Sequence, residues 1–265
     1  MDRAALALLL SLAAGLSTGI GSFITFFAKR KNTNFLAISL GFSAGVMVYV
    51  SLVDLLPGAQ GSLSAAMGDK AGHIAAALSF FAGMVLTGAI DKILPDDKNP
   101  HEVKQMGTTQ AVQPARKRLM RTGIITAAAI TIHNFPEGIA TFVSVLHDPS
   151  IAAPVVLAIA LHNIPEGISV AVPIYYATGS KRKALLYSFA SGLAEPLGAI
   201  AAYFILMPFI NETIYGVLFA LIAGIMVFIS FDELLPSARE YGEHHLSIYG
   251  MVAGMAIMAA SLIWL

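Results

Sequence analysis

Stretches of about twenty apolar residues recur along the chain, near 4 to 27, 34 to 56, 72 to 93, 122 to 146, 151 to 176, 184 to 209, 214 to 236 and 246 to 264. Each has the length a helix needs to cross roughly 30 Å of hydrocarbon. With no water there to satisfy backbone N–H and C=O groups, such segments must be helical. The expected fold is therefore all-α, a polytopic membrane protein with eight transmembrane helices, numbered 1 to 8. Composition agrees, since only 12% of the 265 residues are charged, against about 25% in an average soluble domain. The first stretch resembles a secretory signal after Arg3, but "STGIGSFITFF" continues it without a cleavage-like site, so it is read as helix 1. The chain has no cysteine, which excludes disulfides and thiolate metal ligands.

Orientation follows from Lys and Arg, which accumulate in cytoplasmic loops. With eight crossings, fourteen of the sixteen basic residues, from Lys29 to Arg239, fall on one side and only Arg3 and Lys70 on the other. Both termini are thus expected outside, with a cytoplasmic loop at about 94–120. In that loop His101, with Asp96, Asp97 and Glu102, reads as solvated charge.

Two segments repeat. "AGVMVYVSLVDLLPGA" at 44–59 and "AGIMVFISFDELLPSA" at 223–238 share nine of sixteen positions at a constant offset of 179. They lie on helices 2 and 7, five crossings apart, so they run in opposite directions. Weaker matches join "FAGM" at 81–84 to "VAGM" at 252–255, and "GLSTGIG" from Gly15 to "GLAEPLG" from Gly192. Small-residue matches alone reflect only close helix packing; the sixteen-residue match does not. The expected arrangement is 3+2+3, helices 1–3 being an inverted copy of helices 6–8 around the pair 4 and 5, in one transmembrane domain spanning residues 1–265. Inverted repeats of this kind mark secondary transporters with a site near the midplane.

The central pair carries the chemistry. "HNFPEG" at 133–138 is followed by "HNIPEG" at 162–167. Residues three and four apart share a helix face, so His133 and Asn134 neighbour Glu137, and His162 and Asn163 neighbour Glu166. Pro136 and Pro165 each remove an N–H and bend the helix, freeing carbonyls. A third carboxylate, Glu195, precedes a proline on helix 6, and Asp54 and Glu233, with Asp232 beside it, occupy matched positions of the repeat. Ionised and unpaired in the membrane, Glu137, Glu166 and Glu195 would cost on the order of 8 to 10 kcal/mol together. No Lys or Arg lies within a helix core to pair with them, so the cation must come from outside. Imidazole, amide and carboxylate together suit a divalent transition metal better than a proton relay. Two divalent ions bridged by Glu137 and Glu166 would set four positive charges against the three carboxylates, which is electrostatically reasonable. Nitrogen and oxygen ligands, with at most a thioether from Met47, fit Zn(II) and also Fe(II), Mn(II), Co(II) and Cd(II). His73, His147, His244 and His245 fall at helix ends or in loops and are read as structural.

These motifs resemble the ZIP family of divalent-metal transporters over essentially the whole chain. The resemblance implies a main transport site of His133, Glu137, His162 and Glu166 with Met47. It implies an adjoining second site of Asn134, Glu137, Asn163, Glu166 and Glu195, with Glu137 and Glu166 bridging. Asp54 then belongs to the outer entrance and Asp232 and Glu233 to an inner release path. It also implies uptake into the cytoplasm by alternating access, helices 1, 4, 5 and 6 moving like an elevator against 2, 3, 7 and 8.

The expected function is secondary transport, not enzymatic catalysis. Divalent metal, zinc first, is the substrate, with no organic cofactor and no nucleic-acid partner. The setting is the plasma membrane, a bacterial inner membrane, with lipid and a homodimer as candidate partners. A cation/proton antiporter and a channel remain open alternatives. An intramembrane metalloprotease would carry H-E-x-x-H, whereas here the order is H-x-x-x-E.

Overall fold

A computed structural model describes residues 3–27, 32–93, 113–147, 152–206, 209, 211–241 and 244–264. All regular secondary structure among them is helical. The chain begins with α1 (Arg3–Gly21), extended by a 3-10 turn at Ser22–Phe26. Next comes α2 (Thr33–Val50), which passes through a π-helical turn at Ser51–Leu55 into α3 (Leu56–Met67), and then α4 (Asp69–Ile93). The two motif helices are α5 (Gln113–His147) and α6 (Ala152–Thr178). They are followed by α7 (Lys181–Gly192), α8 (Ala194–Ala201) and a π turn at Ala202–Leu206. Last are α9 (Glu212–Ile229), a π turn at Ser230–Leu234, α10 (Leu235–Tyr241) and α11 (His244–Trp264).

Six stretches among the described residues are long and apolar enough to cross a bilayer: Arg3–Phe26, Thr33–Met67, Asp69–Ala89, Lys181–Ile205, Glu212–Glu240 and His245–Ile263. This is the build of a multi-pass membrane protein. Two expectations from hydropathy are corrected. First, α5 starts at Gln113, inside the stretch expected as loop. Pro114 suits the first turn of a helix and "ARKRLMR" is made of good helix formers, a signal that an apolar window does not see. Second, the helix expected over 184–209 begins at Lys181 and has a one-residue irregularity at Leu193, between α7 and α8, though Lys181–Ile205 is still one stretch long enough to cross. Pro196 has no N–H to offer the Gly192 carbonyl four residues back. Lys29, Arg30 and Lys31, and the charges Asp96, Asp97, His101 and Glu102, lie outside the described residues.

The repeated sequences carry repeated local structure. Asn32 caps α2 through its side-chain oxygen, accepting from the Phe35 N–H at 3.0 Å, and Asn211 caps α9 by accepting from the Ile214 N–H at 3.0 Å. In α2 the Ser51 hydroxyl donates to the Met47 carbonyl at 2.6 Å; in α9 the Ser230 hydroxyl donates to the Met226 carbonyl at 2.8 Å. Both serines open a π turn that ends two residues before a proline, Pro57 or Pro236. A π turn shifts the hydrogen-bond register, which accommodates the N–H each proline lacks.

Packing is paired in the same way. α2 lies along α11 and α9 along α4. Gly45 abuts the Met251 carbonyl and Gly254 that of Phe42; correspondingly Gly224 abuts the Phe80 carbonyl and Gly83 that of Leu221. A second set joins α1 to α6 and α8 to α5. There Gly167 meets the Thr18 carbonyl and Gly21 that of Ile164, while Gly138 meets the Glu195 carbonyl and Gly198 that of Phe135. A Cβ at any of these positions would strike backbone, so glycine permits the close approach that holds helices together in lipid. The largest apolar cluster, with Met47, Ile130, Val170, Ile174, Ile225 and Met226, fills the middle between α2, α5, α6 and α9.

Candidate metal centre

Both motif helices run through their prolines without a break. Near the second motif the Ser43 hydroxyl of α2 donates to the Pro165 carbonyl at 2.7 Å, holding α2 against α6. Helical spacing sets His133 beside Glu137 of its own helix, Nε2 to Oε2 3.4 Å. The closer contacts cross between helices. His133 Nε2 lies 3.0 Å from Glu166 Oε1, and His162 Nε2 is paired with Glu137 Oε1. Each histidine thus meets the glutamate of the other copy, and the duplication becomes one cluster.

His133, Glu137 and His162 each offer a ligand atom within 4.8 Å of one another, close enough to share one ion. At bond lengths of 2.0–2.2 Å, donors around a tetrahedral Zn(II) sit about 3.4 Å apart, so modest inward shifts close the set. Behind it lies a layer richer in oxygen. Asn163 Nδ2 donates to Glu195 Oε2 at 2.9 Å and to the Ala14 carbonyl at 3.1 Å, and Asn134 Nδ2 donates to the Ser191 carbonyl at 3.2 Å. These bonds fix the amide groups. They leave Asn134 Oδ1, Asn163 Oδ1, Glu166 Oε2 and Glu195 Oε1 buried without a hydrogen-bond partner.

Such orphaned acceptors are costly, about 1–3 kcal/mol each and more when charged. Glu166 and Glu195 are both 0% exposed. Four buried lone-pair donors that accept no hydrogen bond form an environment that a cation completes. Carboxylate and amide oxygens beside two imidazoles fit a first-row divalent ion.

A cavity of about 200 Å³ reaches this centre. Asp54, His133, Glu137, Thr141, His162 and Tyr215 are among its lining residues, while Glu166, Glu195 and both asparagines are not. It lies among the C-terminal halves of α5 and α11 and the N-terminal halves of α6 and α9, which meet at one end of the bundle. At the other end, Arg118 pairs with Glu240 and the Thr122 and Ser237 hydroxyls lie 3.2 Å apart, joining α5 to α10.

The remaining sequence candidates are distributed around the centre. Asp54, in the first π turn, lines the cavity; Glu233, at the matched place in the π turn after α9, is buried, and Asp232 beside it is half-buried. Met47 is fully buried in the central apolar cluster and is not a cavity-lining residue. His73 sits against the Asp69 carbonyl of its own helix, and His245 stacks on Tyr249, away from the cluster. The side chains of His147 and His244 lie outside the described residues. Sequence reasoning missed Thr141 and Tyr215 as cavity walls and Ser43 as a tie. Thr141, four residues after Glu137, was within reach of helical spacing, whereas Tyr215 carries no local signal.

The chain is similar to known proteins. The family model described as ZIP zinc transporter matches residues 95–262. The chain is 58% identical over 267 residues to the zinc transporter ZupT of Oceanobacillus iheyensis, covering all of both chains. It is 59% identical over 257 residues to zinc transporter ZupT of Streptococcus mutans, covering 97% of this chain and 96% of that one. With zinc transporter ZupT of Corynebacterium glutamicum it shares 54% over 254 residues, 96% and 97% of the two chains.

Proposed function

Because this chain belongs to the ZIP zinc transporter family, we propose that it moves Zn(II) across the plasma membrane of a bacterium into the cytoplasm. Fe(II), Mn(II), Co(II) and Cd(II) are further substrates, since the donor set is imidazole and oxygen without thiolate. The protein is a transporter and not an enzyme. The observation that carries the reading is the crossed pairing of His133 with Glu166 and His162 with Glu137, backed by four orphaned oxygens.

In this reading two ions share the centre. His133, Glu137, His162 and Glu166, joined by Met47 once α2 shifts, hold the transported ion. Asn134, Asn163 and Glu195 complete a second site through the bridging carboxylates of Glu137 and Glu166. All eight helical rods cross the bilayer in a 3+2+3 arrangement, both termini outside, with one transmembrane domain and a cytoplasmic segment at about 94–120. The matched caps, π turns and glycine contacts support an inverted repeat. The cavity end is then the outer one, with Asp54 on the approach, and Asp232 and Glu233 lie toward release. Access alternates as α1 and α5 to α8 slide against the remaining helices.

Purified protein in zinc-free liposomes tests this directly. Saturable, temperature-dependent Zn(II) uptake that the other four metals inhibit is expected. Cation flux driven by a pH gradient with no transition metal present would instead favour a cation/proton antiporter. The orientation has its own test. Ala59 and Ala238, which end the two repeats, are both buried, so their exposed neighbours Gly61 and Arg239 are better probes. Gly61→Cys should react with an impermeant thiol reagent from outside, and Arg239→Cys only after the membrane is opened. Labelling of both from one side would rule out the inverted repeat.

A further inference from the structure

Within the helices most buried hydroxyls bond back to a carbonyl three or four residues earlier, as Ser11, Ser22, Thr87, Thr141 and Ser191 do. Thr18 of α1 does not. It is 0% exposed, and its Oγ1 has no hydrogen-bond partner. Its own carbonyl is already engaged, accepting from the Ser188 hydroxyl at 2.8 Å and touching Gly167.

The matched contacts say what Thr18 corresponds to. α1 with α6 packs as α8 with α5, at offsets of 177 and 29: Gly167 on Thr18 answers Gly138 on Glu195, and Gly21 on Ile164 answers Gly198 on Phe135. The side-chain bonds obey the same rule, Asn163 donating to the Ala14 carbonyl and Asn134 to the Ser191 carbonyl. Thr18 therefore stands where Glu195 stands, one on each side of the place where Gly15 and Gly192 touch. Glu195 bonds Asn163. The correspondence pairs Thr18 with Asn134, whose Oδ1 is likewise buried and unpartnered.

We propose that the Thr18 hydroxyl is a ligand of the second site, supplying a neutral oxygen opposite the Glu195 carboxylate to the ion held there. This rests on the two-ion reading above. The pseudo-symmetric centre thereby has one charged and one neutral flank, and the neutral flank adds a hard donor without a fourth carboxylate to neutralise. Hard oxygen donors favour Mn(II) relative to Zn(II) more than imidazole does. Thr18 thus tunes which metal the site prefers.

The test compares wild type, Thr18→Val and Thr18→Ser in liposomes, with Zn(II) and Mn(II) each alone and in competition. Thr18→Val keeps the shape and removes the hydroxyl. It should lower Mn(II) uptake about threefold more than Zn(II) uptake, while Thr18→Ser keeps the wild-type ratio. Combined with Glu195→Gln, the valine variant should lose less than the product of the two single effects, because both residues then serve one ion. A packing role would lower both metals together. An unchanged Mn(II) to Zn(II) ratio in Thr18→Val, or a serine variant that behaves like valine, would overturn the proposal. Should Thr18→Val fail to fold, Thr18→Ala is judged by the same ratio. Wild-type protein that transports neither metal would contradict the transport function instead, so the two failures are distinguishable.

Discussion

Asp54 and Glu233 occupy the same point of two matching helices, each in a π turn opened by a serine that donates to a methionine carbonyl. Their surroundings differ. Asp54 lines the cavity with His133, Glu137 and His162, whereas Glu233 is 3% exposed, with α2 and α5 packed on its turn. The two turns share their serine, the leucine that ends them and the proline two residues on, but not their packing. The two turns differ in what covers them: α2 and α5 pack on the Glu233 turn, at the end where α5 is joined to α10 by Arg118 with Glu240 and by Thr122 with Ser237, whereas the cavity lies beside the Asp54 turn. Two helices with matching local structure thus differ in that the cavity reaches the His133, Glu137 and His162 cluster beside the Asp54 turn, while the Glu233 turn is packed over.

The centre is the part both ends share, so its loss should have the largest effect. Glu137→Ala or Glu166→Ala should lower Zn(II) uptake by roughly 100-fold or more, beyond the 10- to 100-fold typical of losing a residue that only supports a ligand. Each removes a carboxylate that contacts a histidine of the other motif copy and that, in the proposed two-ion arrangement, bridges both ions. Glu195→Gln should cost about tenfold, because it alters only the second layer. Equal losses in all three would erase the distinction between bridging and flanking carboxylates.

Much of the centre was legible from the chain. Two copies of H-N-x-P-E-G in apolar helices implied a cation, and helical spacing put each histidine beside its own glutamate. The crossed pairing was not legible, because it depends on how α5 lies against α6. The repeat at 44–59 and 223–238 was readable, but its π turns were not, since hydropathy is blind to a one-residue change of hydrogen-bond register. Thr18 was half visible: the loose match of "GLSTGIG" to "GLAEPLG" sets it against Glu195, yet a threonine in a membrane helix ordinarily bonds its own backbone. Its orphaned hydroxyl, a feature it shares with Thr126, together with its place opposite Glu195, singles it out.

Smaller effects sharpen the comparison of the two ends. His162→Gln should weaken Zn(II) about threefold more than Mn(II) in competition assays, as imidazole favours zinc; an unchanged ranking would remove His162 from the ligands. Asp54→Asn should raise the zinc concentration for half-maximal uptake about twofold, because a carboxylate in a cavity mouth concentrates cations, and leave the maximal rate unchanged. Glu233→Gln should do the reverse. Arg118→Ala should have the least effect, within about threefold in rate, since an exposed ion pair contributes only about 0–1 kcal/mol.

The central claim, that the α5 and α6 cluster holds the transported metal, is tested most directly by counting zinc on purified protein at equilibrium. Elemental analysis of wild type should give about two zinc ions per chain, and of Glu166→Ala less than one, if that carboxylate is shared by both proposed sites. The same zinc content in both proteins would contradict the account.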